Sequence, residues 1–179
     1  MIEGKSHDPD RSDDSTAREI YIVGLRNAHA MEIQARELME RQSERLTDYP
    51  EVLEKVKAHL SETNEQLLRI ERCLDQLGES TSTLKDTAQS VIANMMAMGH
   101  SIAGDEILKN TFANNAFENF EIAAYRSLLI LGEAAGDSGA RPQLEQSLEE
   151  EERMASWVAA NVEKVTLKYL QHATQAATT

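Results

Sequence analysis

Cysteine occurs once, at Cys73, which excludes an internal disulfide framework and suits a reducing compartment. Long apolar runs are missing: none approaches the roughly 20 residues a helix needs to span a bilayer, and the opening Met1-Ile2-Glu3-Gly4-Lys5 lacks the apolar core of a signal peptide. A soluble, cytoplasmic protein is therefore expected. Positive charge is also short. Lys and Arg total 18 against 31 Asp and Glu, a formal charge of -13, which disfavours nucleic acid and membrane as partners and favours cations. With 3 prolines, 8 glycines and 4% aromatic residues, little is left for a turn-rich or β-rich fold. Strand-like alternation and a glycine-rich phosphate loop are both lacking.

What remains is helix composition, dominated by Ala, Leu, Glu, Gln and Arg, in a chain of 179 residues that can bury one ordinary core. Residues 1–15 are polar and aperiodic and read as a mobile tail. Thr16 and Glu19 form a capping-box signal for a first helix to Leu46, with the inward seam Tyr21, Leu25, Ala28, Glu32, Ala35, Met39, Gln42 and Leu46. Pro50 restarts the chain in a second helix that stops at Gly78. Its stripe is Val56, Leu60, Thr63, Leu67, Ile70, Leu74 and Leu77, flanked by His59, Glu62, Gln66 and Cys73. A stretch from Glu79 to Gly104 is too long for a hairpin turn and predicts a crossover with its own short helix, in which Met95, Met96 and Met98 serve as flexible packing.

A third helix follows from about Asp105 to Ala135, with the seam Ile107, Thr111, Asn114, Glu118, Glu121, Tyr125, Leu128 and Gly132, closed by Gly136. The fourth runs from near Ala140 to about Ala173 on Leu144, Leu148, Glu151, Ala155, Val158, Val162, Val165 and Tyr169, and residues 175–179 should fray. Two short turns and one long crossover define an all-α, ferritin-like four-helix bundle over residues 16–174, with the short extra helix between the second and third helices.

Each long helix places a carboxylate in the middle of its inward face: Glu32, Glu62, Glu121 and Glu151. Glu32 to Glu62 and Glu121 to Glu151 are both 30 residues apart, so matched depth and convergence at one level are expected. Buried carboxylates repel one another unless a cation or protons are present. Two readings follow: metal binding, for which an oxygen-rich set suits iron or manganese and a two-metal site, or hydrogen-bonded carboxyls that fix helix register in a metal-free interaction or dimerisation protein. His29 and His59 lie one turn before Glu32 and Glu62, and Glu118 one turn before Glu121, so His59 and Glu118 join the candidate ligands. Tyr125 is placed to bond a carboxylate, whereas Glu150 should point away and be solvated.

The segments Gly24 to Ala35, His59-Leu60-Ser61-Glu62-Thr63, Phe117 to Tyr125, and Leu148 to Glu151 with Met154, Ala155 and Trp157 resemble the YciE/YciF-type ferritin-like stress proteins, nearest to YciE, over about residues 18–165. The resemblance implies a rubrerythrin-related bundle, a homodimer, a di-metal site and no settled activity; peroxide or oxygen handling is the chemistry it suggests. On matching positions, Glu32, Glu62, Glu121 and Glu151 would face the metal, with His59 and Glu118 beside them. Two features depart from well-characterised di-iron bundles: Glu65 and Met154 stand three residues after Glu62 and Glu151, where such bundles carry His.

Overall fold

A computed structural model describes residues 9–79 and 106–178. Four helices account for nearly all of them: α1 (Pro9–Ser43), α2 (Pro50–Gln76), α3 (Glu106–Ala134) and α4 (Arg141–Ala177). No strand occurs among the described residues. The all-α four-helix bundle expected from periodicity is the observed fold.

Helix ends follow local chemistry. Gly78 and Gly136 have φ of 73° and 74°, a left-handed conformation that glycine adopts without steric cost. Each lets the chain close its helix twice: Gly78 N–H donates to Asp75 O and Glu79 N–H to Leu74 O, and Gly136 N–H donates to Glu133 O and Asp137 N–H to Gly132 O. Pro50 and Pro142 occupy first turns, where a missing N–H costs nothing. The first helix begins at Pro9, ahead of the expected Thr16, so residues 9–15 of the expected tail are helical. Proline in an opening turn again supplies the reason. The fourth helix continues past Ala173 to Ala177. The crossover, its short helix and Met95, Met96 and Met98 lie outside the described residues, as do residues 1–8.

Contacts at the helix ends set the topology. Near the start of α1, Arg18 donates to Leu77 O at the end of α2, and the Tyr21 ring lies against Gly132 near the end of α3. At the far end of α1, Arg45 pairs with Glu106 at 2.8 Å. Helices α2 and α3 therefore run the same way, the helix direction of the ferritin-like arrangement. Helix α1 packs on α2 and α3, and α4 on α3 and α2, leaving α2 and α3 at opposite corners. At 1.5 Å per residue the 27 residues of α2 span about 40 Å.

All eight predicted seam positions of the first helix are buried, from Tyr21 to Leu46, although α1 ends at Ser43 and Leu46 lies just past it, and the core continues through Val56, Ile70, Leu74, Leu128, Leu144 and Val165. Periodicity succeeds here because a helix facing two neighbours has one inward stripe. At one end, Tyr49 stacks obliquely on His172 with centroids 5.5 Å apart, and Lys168 Nζ sits 5.0 Å from its ring centroid. These contacts fasten α4 to the α1–α2 turn.

Candidate metal centre

Midway along the bundle the apolar seam gives way to acids. Helix α1 contributes Glu32, with the small side chains Ala28 and Ala35 at the adjoining seam positions. Helix α3 contributes Glu118 and Glu121, three residues apart on one face, then Tyr125 one turn on. Helix α4 contributes Glu151 and α2 contributes His59 and Gln66; all seven are buried. One ligand atom each from His59, Glu118, Glu121 and Glu151 lies within 4.8 Å of the other three.

The polar contacts are uneven. His59 Nε2 lies 3.2 Å from Glu118 Oε2 and 3.3 Å from Glu151 Oε2. Neither oxygen accepts an aligned hydrogen bond, so the approach is one of charge. On the other side of the ring, Nδ1 is 2.9 Å from Glu62 Oε2. Tyr125 donates its hydroxyl to Glu32 Oε1 at 2.6 Å, and Gln66 Nε2 donates to Glu151 Oε1. Both oxygens of Glu121, and Oε2 of Glu32, Glu118 and Glu151, are buried without a hydrogen-bond partner among the described residues.

The electrostatics follow from that crowding. Burial raises the Glu118 carboxyl from 4.5 to about 7, against the pull of the His59 charge. Burial and then the neighbouring Glu151 push Glu32 and Glu121 well above the ordinary carboxylate range. For His59, burial opposes the charged ring, but Glu118, Glu151 and Glu62 outweigh it and push the imidazole up to about 12. Glu62, hydrogen-bonded to that ring, is lowered. The centre is thus acid-rich and, among the described residues, short of positive charge, and that shortage is what raises the proton affinity of its carboxyls.

The expected residues divide. His59, Glu118, Glu121 and Glu151 come together, and Glu32 lies beside them, bonded to Tyr125 and acting on Glu151 by charge. Glu62 does not join them. Its side chain is 29% exposed and lies at the rim, between His59 and Arg153 Nη2, which is 3.3 Å away. His29 turns to Glu71 at 3.1 Å, away from the cluster. Glu150 is corrected from solvated to buried: Arg69 Nη1 and Nη2 donate to its two oxygens at 2.6 and 2.8 Å, and Gln66 Nε2 donates at 3.1 Å. The reason is that α4 faces two neighbours, so a residue about 100° from the seam still points into the bundle, towards α2. Arg69 and Ser147, which share a 2.9 Å hydrogen bond, escape a reading based on acids alone. The available signal was Arg69 itself, a basic residue three positions after Gln66 on the inward face of α2.

Oxygen and imidazole donors suit iron, manganese or zinc, and buried carboxylate oxygens without donors are the groups a cation would satisfy. The donor set fits a metal.

A four-helix bundle with ferritin-like connectivity and a buried carboxylate–imidazole centre is the class of protein that fold and site define. The family described as Domain of unknown function (DUF892) matches residues 16–171, and the chain belongs to it. Among solved structures, the chain is similar to a protein of Xanthomonas campestris pv. campestris str. ATCC 33913, at 28% identity over 89% of this chain and 99% of that one, with a TM-score of 0.74. The stress protein YciF of E. coli shares the fold at 23% identity, 85% and 98% coverage and a TM-score of 0.69. YcfI of Rhodopseudomonas palustris shares it at 19% identity, 80% and 92% coverage and a TM-score of 0.63. Among the described residues no helix is long and apolar enough to cross a membrane.

Proposed function

We propose that the chain is a ferritin-like stress protein that binds iron or manganese between His59, Glu118, Glu121 and Glu151, with Glu32 available to bridge to a second ion. The observation that carries this reading is the gathering of one ligand atom each from His59, Glu118, Glu121 and Glu151, all buried, within 4.8 Å of one another. When bound, such a metal supplies redox chemistry towards peroxide or oxygen. The chain contributes a water-excluding shell, in which Tyr125 orients Glu32 and Gln66 orients Glu151.

A second reading is favoured by the raised proton affinities of Glu32, Glu118 and Glu121: a metal-free interaction protein whose carboxyls are neutral at pH 7. Homodimerisation, compatible with either reading, would use apolar side chains exposed on α3, Phe112, Phe120 and Ile130. The placement nearest YciE and a cytoplasmic setting belong to the same proposal, supported by the motif residues and the lone Cys73. Metal content of protein purified without chelator, against a Glu121→Gln/Glu151→Gln variant, separates the two. Iron or manganese bound to the wild type and lost from the variant supports the metal centre; equal content in both sinks it.

A further inference from the structure

The metal reading leaves Glu62 without a place, although it lies one turn from His59 on the same helix. His59 is 1% exposed and has a polar partner at each nitrogen: Nε2 faces the oxygens of Glu118 and Glu151 at 3.2 and 3.3 Å, and Nδ1 meets Glu62 Oε2 at 2.9 Å. Glu62 does not turn inward. Its other oxygen is 3.3 Å from Arg153 Nη2 on α4, and its side chain keeps contact with solvent. The i, i+3 spacing builds the His59–Glu62 pair into α2, so no loop need order to form it. His29 and Glu32 share that spacing on α1 without the same result. There Glu32 faces the core and bonds Tyr125, His29 Nε2 goes to Glu71, and His29 Nδ1 is buried without a hydrogen-bond partner among the described residues.

Resting on the metal reading, we infer that Glu62 is a positioning residue: it accepts the Nδ1 proton of His59, so that Nε2 presents its lone pair to a cation held by Glu118, Glu121 and Glu151. An imidazole has one lone-pair nitrogen when neutral, and a carboxylate on the opposite nitrogen decides which one it is, fixes the ring plane and raises ligand basicity. Arg153, reaching across from α4, holds the free oxygen of Glu62 and keeps that carboxylate at the rim. Glu62 thus serves the centre from outside, one atom layer removed from the ion.

The test titrates Mn2+ into full-length wild type and the variants Glu62→Ala and Glu62→Gln, and follows the His59 ring N–H by NMR in the Zn2+-loaded proteins. Glu62→Ala should weaken Mn2+ binding by about 10–100-fold with stoichiometry and helical circular dichroism unchanged, and its Nδ1–H signal should broaden through exchange with water. Glu62→Gln, whose amide oxygen still accepts the proton, should keep the sharp Nδ1–H signal and recover most of the affinity. Wild-type affinity in Glu62→Ala overturns the inference while leaving the metal site standing. So does loss of stoichiometry in both variants to the level of His59→Ala, which would make Glu62 a ligand. A wild type that takes up neither ion overturns the metal reading and this inference with it.

Discussion

Replacing Glu121 with glutamine should stabilise the metal-free protein and abolish its response to metal. Both oxygens of Glu121 are buried without a hydrogen-bond donor among the described residues, and its ligand atom lies within 4.8 Å of those of Glu118, Glu151 and His59. At that separation and an effective dielectric constant of about 20, two like charges cost ~3.5 kcal/mol. The His59 imidazolium offsets one of the three carboxylate neighbours, Glu151, Glu32 and Glu118, leaving more than one uncompensated repulsion. Proton uptake relieves part of it, since the Glu121 carboxyl is already held well above its ordinary range. The substitution should therefore gain about 1–3 kcal/mol in chelator, and its new amide can donate to the free oxygens of Glu118 or Glu151. For a chain of this size 1 kcal/mol moves Tm by about 2–4 °C. Mn2+ at 100 times its Kd should add ~2.7 kcal/mol to the wild type and little to the variant. Thermal unfolding by circular dichroism at pH 7, with chelator and then with Mn2+, reads both effects. A variant less stable than wild type in chelator, or one that responds equally to Mn2+, would refute the reasoning.

Three further outcomes follow from the same geometry. Metal-free protein should lose stability as pH rises: Glu118, raised from 4.5 to about 7, makes the folded state bind more protons between those values, and His59, raised from 6.5 to about 12, does so above 6.5. Tm in chelator should fall from pH 5 to 8, whereas Mn2+-loaded protein should gain over that range as protons stop competing for the ligands; parallel curves would contradict this. Arg69→Met should cost about 3–5 kcal/mol by stranding Glu150 as a buried unpaired charge, and Arg69→Met/Glu150→Leu should recover most of it in urea unfolding; an additive double variant would show that the two side chains do not act as a pair. Tyr125→Phe should cost about 0.5–1.5 kcal/mol, the net range for a hydrogen bond to a carboxyl that burial holds well above its ordinary range, again by urea unfolding, and no loss would mean that the 2.6 Å contact with Glu32 is not a working hydrogen bond.

The bundle was legible because each helix carries one apolar stripe at a period that only a helix satisfies, broken by Gly78, Gly136 and the prolines. The centre was legible to within one turn. Equal spacing put Glu32, Glu62, Glu121 and Glu151 at one level, since rise per residue is constant; Glu121 and Glu151 lie in the cluster, Glu32 beside it and Glu62 at its rim. Rotation is less constrained. His59 and Glu62 are three positions apart, about 60° around the helix, and both belong to the broad inner face of α2. The packing of α2 against α1 and α4 turns the imidazole to the middle and the carboxylate to the rim. Glu150 and Glu151 show the same ambiguity on α4, with a different resolution: both are buried, one against Arg69 and one in the cluster. That distinction depends on which neighbour carries a counter-charge, a property of the pair and not of either segment alone.

The claim that the His59, Glu118, Glu121 and Glu151 cluster holds a metal is tested most directly by anomalous diffraction from crystals grown with Mn2+, recorded on both sides of the manganese absorption edge. The account predicts a difference peak between the four side chains, within coordination distance of His59 Nε2 and of at least one oxygen each from Glu118, Glu121 and Glu151. Carboxyl groups hydrogen-bonded to one another across that point, with no anomalous peak, would contradict it.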